Sequence, residues 1–464
     1  MKNAPDAGRI AELLARFDRA GPRYTSYPTA VEFTEEVTAA TYGDHLSRAA
    51  AVDAPISLYL HLPFCQHRCA FCGCHVIITD KRDVIGGYLD VLHREIDLIA
   101  DRLGDRNVVR QYHWGGGTPT YLTPEEMHAL HAKITSRFRI EEGAEVAIEV
   151  DPRVTTPDHL ALLRELGFNR LSMGVQDFTP EVQEIITRNQ TEAETVELVE
   201  ACRKLGFESL NLDLIYGLPK QTQDTFVTSL RKVVELRPER VAVYSYAHVP
   251  WMKANQRKTE AEFLPDPETK LLLFGEAHSA FVEAGYDPIG MDHFAVPEDE
   301  LAVAARERRL HRNFMGYTTK PAPDFVGVGI SAIGDVQDAF FQNEKGIPAY
   351  KRRVMAGEPP IFRGVVLTAE DRLRRDVILS IMCNARIDRA DIEARHGIDF
   401  PKTFAWEMEQ LAEERKHGFV EWNDDLSEIR VVGDGKLFIR NIAMIFDERL
   451  RRMKRDGPVF SQTV

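Results

Sequence analysis

Between Ile56 and Leu62 the apolar residues Ile56, Leu58, Leu60 and Leu62 alternate with Ser57, Tyr59 and His61, the period-2 pattern of a strand with one face in a core. Five further strand patterns follow at 108–114, 145–150, 170–175, 210–215 and 241–246. Between them lie helical periodicities at 86–103, 124–138, 157–166, 180–188, 193–205 and 223–236. Three of these helices open on Thr-Pro, at Thr123-Pro124, Thr156-Pro157 and Thr179-Pro180. Thr supplies an N-cap acceptor, Pro a pre-set first helical φ, and Glu126 completes a capping box with Thr123. Six strand–helix units in succession predict an α/β fold with a parallel sheet and right-handed crossovers, an incomplete TIM-like (β/α)6 barrel. Six units fall short of eight, so one side of the barrel is expected to stand open.

Two flanking units complete the expected organisation. Residues 1–54 predict an amphipathic helix from Met1 to Arg19, then a strap, Gly21-Pro-Arg-Tyr-Thr-Ser-Tyr-Pro28-Thr-Ala, which its prolines keep extended. Residues 55–360 hold the barrel and an extension with a helix, the Gly290-Met-Asp-His-Phe294 turn, a lid-like stretch and the glycine-rich Gly327-Val-Gly-Ile-Ser-Ala-Ile333. Those glycines suit either close backbone approach to a ligand or a tight packed crossing. Residues 361–464 predict a mainly helical, winged-helix-like cap. Its elements are helices near 368–383, 388–396 and 402–417, a strand pair around 419–432 turning at Gly433-Asp-Gly435, and a final helix from Leu437 to Lys454.

Composition narrows the functional class. The chain has 464 residues, 44% of them apolar, which suffices for a sizeable core. Its 58 Lys and Arg against 72 Asp and Glu leave a net charge of -14, which argues against nucleic acid or an anionic membrane as the main partner. Charges in the C-terminal unit are balanced, which favours a cap over a DNA reader. No run of 18 apolar residues predicts a membrane span, and the N-terminus has no secretory apolar region. Six cysteines, four of them clustered, fit a reducing cytoplasm better than a disulfide framework. Cys202 and Cys383, in helical apolar patterns, are expected as core thiols. Nothing demands a dimer, so a monomer is expected.

The first strand runs straight into Cys65-Gln-His-Arg-Cys69-Ala-Phe-Cys72-Gly-Cys74. Three thiolates spaced C-x3-C-x2-C on one loop suit an iron–sulfur cluster or zinc. Zinc would need Cys74 or His75 as fourth donor and has no second knuckle here, so the cluster is favoured. Three ligands on a four-iron cube leave one iron open to a cofactor or substrate. Barrel active sites lie at the carboxyl ends of strands, and here the other ends carry Gly115-Gly-Gly-Thr118-Pro-Thr120, Glu149-Val-Asp151, Gln176-Asp177, Asp213 and His248. Glycines let backbone meet a ligand; Glu149 and Asp213 can accept from hydroxyls or an ammonium, and Arg188 can pair with a carboxylate.

The cysteine loop, with Phe71 before its third cysteine, resembles the signature of the radical S-adenosylmethionine (radical SAM) enzymes. More specifically, Pro22-Arg-Tyr-Thr-Ser-Tyr-Pro28-Thr, His61-Leu-Pro-Phe-Cys65, Phe71-Cys-Gly-Cys74, His113-Trp-Gly-Gly-Gly-Thr-Pro-Thr120, Ile148-Glu-Val-Asp-Pro152, Asn169-Arg-Leu-Ser-Met-Gly-Val-Gln176-Asp, Asp213-Leu-Ile-Tyr-Gly-Leu-Pro219 and His311-Arg-Asn-Phe-Met-Gly-Tyr-Thr318 resemble the oxygen-independent coproporphyrinogen III oxidase family. The resemblance covers nearly the whole chain. A related haem chaperone or carrier is the alternative; the strap and Cys74, both present, set this chain apart from it.

The resemblance implies a 4Fe-4S cluster on Cys65, Cys69 and Cys72 and two SAM molecules. Tyr59, Gly116, Glu149 and Arg188 would contact the first SAM, while Phe71, Gly117, Thr118, Gln176, Asp213, Ala247 and Ile333 would divide between the two. Tyr59 and Cys74 are the expected catalytic residues, Cys74 on the substrate side. The implied reaction converts two propionates of coproporphyrinogen III to vinyl groups through a SAM-derived 5′-deoxyadenosyl radical, giving protoporphyrinogen IX. An electron donor such as a flavodoxin or ferredoxin is the implied partner. The substrate's four carboxylates are expected to meet Arg23 and the basic end of the chain, Arg449, Arg451, Arg452, Lys454 and Arg455.

Overall fold

The computed structural model describes residues 12–13, 16–259, 261–453 and 459–463. Twelve strands join in one open sheet: β1 (Ile56–Leu62), β2 (Val108–Gly116), β3 (Arg139–Val150), β4 (Arg170–Gln176), β5 (Ser209–Tyr216), β6 (Arg240–Ser245), β7 (Asp287–Ile289), β8 (His293–Ala295), β9 (Asp324–Val328), β10 (Ile333–Asp335), β11 (Ala339–Asn343) and β12 (Ile361–Val366). Their order is β12-β11-β10-β9-β1-β2-β3-β4-β5-β6-β8-β7. The predicted six strands pair in parallel in chain order. A seventh parallel strand, β9, adds to β1 on its other side. The sheet is not closed, because β12 and β7 end the order rather than pairing with each other.

β9 comes from the segment whose glycines were open to two readings, and packing decides between them. A Cβ on Gly327 would lie 2.4 Å from the Ile333 carbonyl oxygen, so glycine is needed where β9 and β10 cross.

Side-chain alternation along β1 sorts the two faces of the sheet. Ile56, Leu58, Leu60 and Leu62 are buried against the outer helices, and Tyr59 points to the inner face, where its ring stacks with those of His113 and Phe325. The helix Arg82–Leu103 contributes Ile85, Leu89, Leu92, Ile96 and Ile99 to that outer core at helical spacing. The same helix places the Tyr88 hydroxyl on the His61 carbonyl at 2.7 Å, steadying the end of β1. Thr123 and Thr156 cap their helices as their sequence predicts. Thr179 does not; its N–H is instead donated to Asp177 Oδ1 at 2.6 Å.

The C-terminal unit has its own core, in which Val377, Ile381, Phe404, Phe419, Phe438 and Phe446 meet Leu13, Phe17, Tyr24 and Tyr27 from the start of the chain. Phe17 stacks on Phe438 with ring centroids 4.4 Å apart. The strap is therefore pinned inside this junction: the Tyr24 hydroxyl donates to Asp447 Oδ2 at 2.9 Å and Arg440 donates to the carbonyls of Pro22 and Gly21. Two expectations are corrected here. The strand pair is a three-stranded antiparallel sheet of Arg386–Asp388, Val420–Trp422 and Glu428–Val431. The single final helix is two short ones, Ile439–Met444 and Glu448–Arg452, because the Asp447 side chain caps a new start at Leu450 N. Lys454 and Arg455, and residues 1–11 of the leading helix, lie outside the described residues. A helix at Ala39–Ala50, capped by Thr38, was not anticipated.

The seam between β9 and β1 rests on an ion pair. Arg106 donates to Asp324 Oδ2 at 2.5 Å with both side chains almost wholly buried, and also to the carbonyls of Ala49 and Ala54. Asp324 accepts in addition from Gln337 N at 2.7 Å. Removing one member strands a buried charge, so Asp324→Ala is expected to lower unfolding free energy by about 3–5 kcal/mol in urea titrations. A loss below about 1 kcal/mol would mean that the pair does not hold the seam.

Candidate active site

The root of the cysteine loop is clamped by backbone. Phe64–Cys65 pairs with Ile77–Ile78, so the loop leaves and returns at neighbouring points. Gly117 N donates to Leu62 O and Thr118 N to Phe64 O, each at 2.8 Å. A Cβ on Gly117 would lie 2.6 Å from the Pro63 carbonyl, and one on Gly115 would lie 2.8 Å from the Glu149 carboxylate. The glycine run thus lets the end of β2 close onto the loop root and onto Glu149.

The far side of the loop is held by two amides. Asn255 Nδ2 faces the carbonyls of Cys69, Ala70 and Cys72 at 3.2, 3.0 and 3.0 Å. Buried Gln256 donates to Phe71 O at 2.9 Å and Ala247 O at 3.1 Å. Four carbonyls of an irregular loop thereby face amide donors without secondary structure. Sequence reasoning missed both residues, and an amide pair in a polar stretch carries no periodic signal that would have found them.

Each of the three sulfurs has a donor beside it. Cys65 Sγ is 3.4 Å from Thr118 Oγ1, and Cys72 Sγ accepts from Cys74 N at 3.4 Å. Cys69 Sγ faces two guanidinium groups, Arg153 at 3.6 Å and Arg188 at 3.7 Å. Both arginines share Asp151, at 2.7 and 3.0 Å. Arg153 is a further residue that sequence reasoning did not single out. The hydrogen bond from Cys74 draws the Cys72 thiol down, and burial pushes the Cys65 thiol up to about 11. Among the described residues no three His, Cys, Asp or Glu side chains converge as a single metal ion would require. Three separated thiols with hydrogen-bond and cationic neighbours fit a cluster, whose sulfur ligands are tuned by such partners.

A cavity of about 510 Å³ beside the loop brings together Tyr59, Gly116, Glu149, Ile333 and Cys74, with Phe314 and Met315 from the turn of the His311–Thr318 hairpin on its wall. Gly116 N donates to Glu149 Oε2 at 3.0 Å, and His113 Nε2 stands 3.5 Å from Oε1. Burial alone would raise the Glu149 carboxyl, but His113 and the Gly116 N–H hold it below its usual range. The Tyr59 hydroxyl is 3.1 Å from His61 Nδ1, and His61 Nε2 is 3.0 Å from His75 O. Burial pushes His61 down to about 4, so the ring is neutral at pH 7 and takes the tautomer that donates to His75 and accepts from Tyr59.

The remaining predicted residues do not line this cavity. Arg188 is turned to Asp151 and the Gly174 carbonyl, and its Nε, though buried, has no partner. Gln176 sits next to it at a φ of +70°, the strained end of β4. Asp213 accepts from Asn211 Nδ2 at 2.7 Å, and burial raises its carboxyl to about 6. Phe71 packs on a cluster that includes Val182, Ile186 and Tyr246. Thr118 lines a second cavity, of about 630 Å³, with Cys65, Asp151 and Arg153.

Among the described residues, the expected carboxylate partners each have a protein acceptor. Arg23 donates to Ser245 O at 2.6 Å. Arg449 is bidentate to Asp371 at 2.6 and 2.8 Å, Arg451 stands 3.6 Å from Glu407, and Arg452 pairs with Glu448. Arg449, Arg451 and Arg452 are thus each beside an acidic side chain of the cap.

Residues 59–233 match the family model described as the Radical SAM superfamily. The oxygen-independent coproporphyrinogen III oxidases of Salmonella typhimurium and Escherichia coli K12 are each 45% identical to this chain, over 96% of it and 96% of their own length. That of Pseudomonas aeruginosa is 42% identical over 96% of this chain and 97% of its own. The solved structure of coproporphyrinogen III oxidase (HemN) from Escherichia coli, a radical SAM enzyme, superposes with a TM-score of 0.88 at 45% identity, covering 92% of this chain and 97% of that one. With its three-thiol loop at the mouth of an open parallel sheet, the chain belongs to the oxygen-independent coproporphyrinogen III oxidase family of the radical SAM superfamily.

Proposed function

We propose that this protein is an oxidoreductase that decarboxylates two propionate side chains of coproporphyrinogen III to vinyl groups, giving protoporphyrinogen IX without oxygen. The observation that carries the reading is the loop of Cys65, Cys69 and Cys72, braced on both sides beside a cavity that already holds Tyr59, Glu149 and Cys74. Those three thiols would hold a 4Fe-4S cluster. When bound, the cluster and SAM supply a 5′-deoxyadenosyl radical that removes hydrogen from a propionate carbon.

The chain's own residues bind, orient and exclude water. Glu149, held ionised by His113 and Gly116 N, accepts from an ammonium or hydroxyl of SAM. Arg188 has a donor to spare for a carboxylate, and Asp213 and Gln176 supply further polar contacts for two SAM molecules. Ile333 lines the cavity, and Thr118, Gly117, Phe71 and Ala247 would contact SAM from around the cysteine loop. Tyr59, fixed by neutral His61, and the thiol of Cys74 face the substrate side. Apolar Phe314, Met315 and Phe325 would cover part of the cavity around a reactive species. A low-potential one-electron carrier such as a flavodoxin or ferredoxin supplies the electron, in the cytoplasm, to a monomeric enzyme. No helix among the described residues is long and apolar enough to cross a membrane.

An anaerobic assay with reductant, SAM and coproporphyrinogen III tests the reading: protoporphyrinogen and CO2 are expected, whereas haem binding with unproductive SAM turnover would identify a carrier instead. In the same preparation Cys72→Ser is expected to lose iron, brown absorbance and SAM cleavage together, while Cys202→Ser, a buried core thiol, retains all three. Iron retained in full by Cys72→Ser would point to other ligands. A pH dependence follows from Asp213. Below about 6 its carboxyl takes up a proton and loses its charge, so SAM affinity should fall as pH drops through that value, and Asp213→Asn should flatten the profile. An unchanged profile in that variant would remove Asp213 from the SAM site.

A further inference from the structure

Coproporphyrinogen carries four carboxylates, and of the arginines that sequence alone offered them Arg449, Arg451 and Arg452 are paired with acidic side chains while Arg23 donates to a backbone carbonyl. A different group of cations has no carboxylate partner among the described residues. Lys253 and Lys345 both line the 510 Å³ cavity that contains Tyr59, Glu149 and Cys74. Arg363 stands just behind them, its Nε donating at 2.6 Å to Oε1 of Gln342, itself on the cavity wall. The guanidinium of Arg363 and the ammonium of Lys345 both lie over the Phe362 ring, 5.9 and 5.6 Å from its centroid. Among the described residues none of the three has a carboxylate within 4 Å, and all three stand at or just behind one cavity wall.

Electrostatics agrees with the geometry. Lys345 is held below the usual lysine range by burial and then by the charges of Arg363 and Lys253, so the three cations repel one another across a shared space. The one cavity carboxylate, Glu149, is engaged by Gly116 N and His113. An anion entering between the lysines would relieve this repulsion.

We propose that Lys253 and Lys345, backed by Arg363, form the carboxylate seat of the site, gripping propionates of the tetrapyrrole so that another propionate reaches Tyr59 and Cys74. The inference rests on the porphyrinogen reading above and names the residues that would recognise its charge. Cations on a cavity wall, rather than on an open convex face, favour a small polyanion over a protein partner. The product keeps two carboxylates where the substrate had four, so the same seat grips it less tightly and favours its release.

Cluster-loaded protein is titrated with coproporphyrin III, the air-stable oxidised form with the same four propionates, and with protoporphyrin IX, which has two. Lys253→Gln and Lys345→Gln are each expected to weaken coproporphyrin III binding about fivefold and together about 25-fold, with a smaller effect on protoporphyrin IX and a flatter salt dependence. Lys253→Arg with Lys345→Arg should retain affinity. Unchanged affinity in the double Gln variant would overturn the seat. So would equal loss in the Arg variants, which would show that packing rather than charge is at stake. Unchanged tetrapyrrole affinity with slower reduction of the cluster by a flavodoxin would also overturn it, assigning the lysines to a protein donor. Because binding is read apart from turnover, a wild-type protein that fails to make protoporphyrinogen would refute the proposed reaction without touching this result.

Discussion

The structure depends on holding a ten-residue irregular loop in one shape while leaving its thiols outside any disulfide. A loop of this kind has no ladder to satisfy its backbone, and a buried carbonyl without a donor costs about 1–3 kcal/mol. The chain solves this with side-chain amides: Asn255 faces three loop carbonyls and Gln256 a fourth. On the other side the glycines at the end of β2 admit backbone to within hydrogen-bonding distance of Leu62 and Phe64. The thiols are left with only weak neighbours, a hydroxyl, an amide and two guanidinium groups. Such partners leave sulfur able to bind iron while adjusting how easily the bound iron is reduced.

The open sheet serves the same end. Seven parallel strands direct their carboxyl ends to one side, and the antiparallel additions β7–β8 and β10–β12 extend the edges instead of sealing them. The site is consequently a trough. The hairpin around Phe314 and Met315 and the strand β10 close part of it with apolar surface, and Lys253 and Lys345 supply charge at the same wall. The overall excess of negative charge makes such a local concentration of unpaired cations informative, because it must be built against the field of the rest of the chain.

Much of this was legible in the sequence, where physical periodicity or a fixed spacing carried it. Period-2 strands, Thr-Pro helix starts and the C-x3-C-x2-C spacing are local signals, and the six strand–helix units follow them closely. What escaped was non-local. β9 reads as a short glycine-bearing run, and only its pairing with β1 shows it to be a parallel strand. Asn255 acts on residues 183–186 positions away. The basic end of the chain looked available because charge counting does not reveal that Asp371, Glu407 and Glu448 neutralise it. Lys253 and Lys345 are isolated in sequence and become a pair only through the fold.

The central claim is that three protein sulfurs leave one corner of an iron cube for SAM. Electron–nuclear double resonance on the reduced, cluster-loaded protein with SAM labelled with nitrogen-15 at its amino group measures this directly. The account predicts a nitrogen coupling to the cluster that appears only when SAM is added. A cluster spectrum unaltered by SAM, with no coupling from the label, would mean that the fourth corner is occupied by the protein, and the account would be wrong.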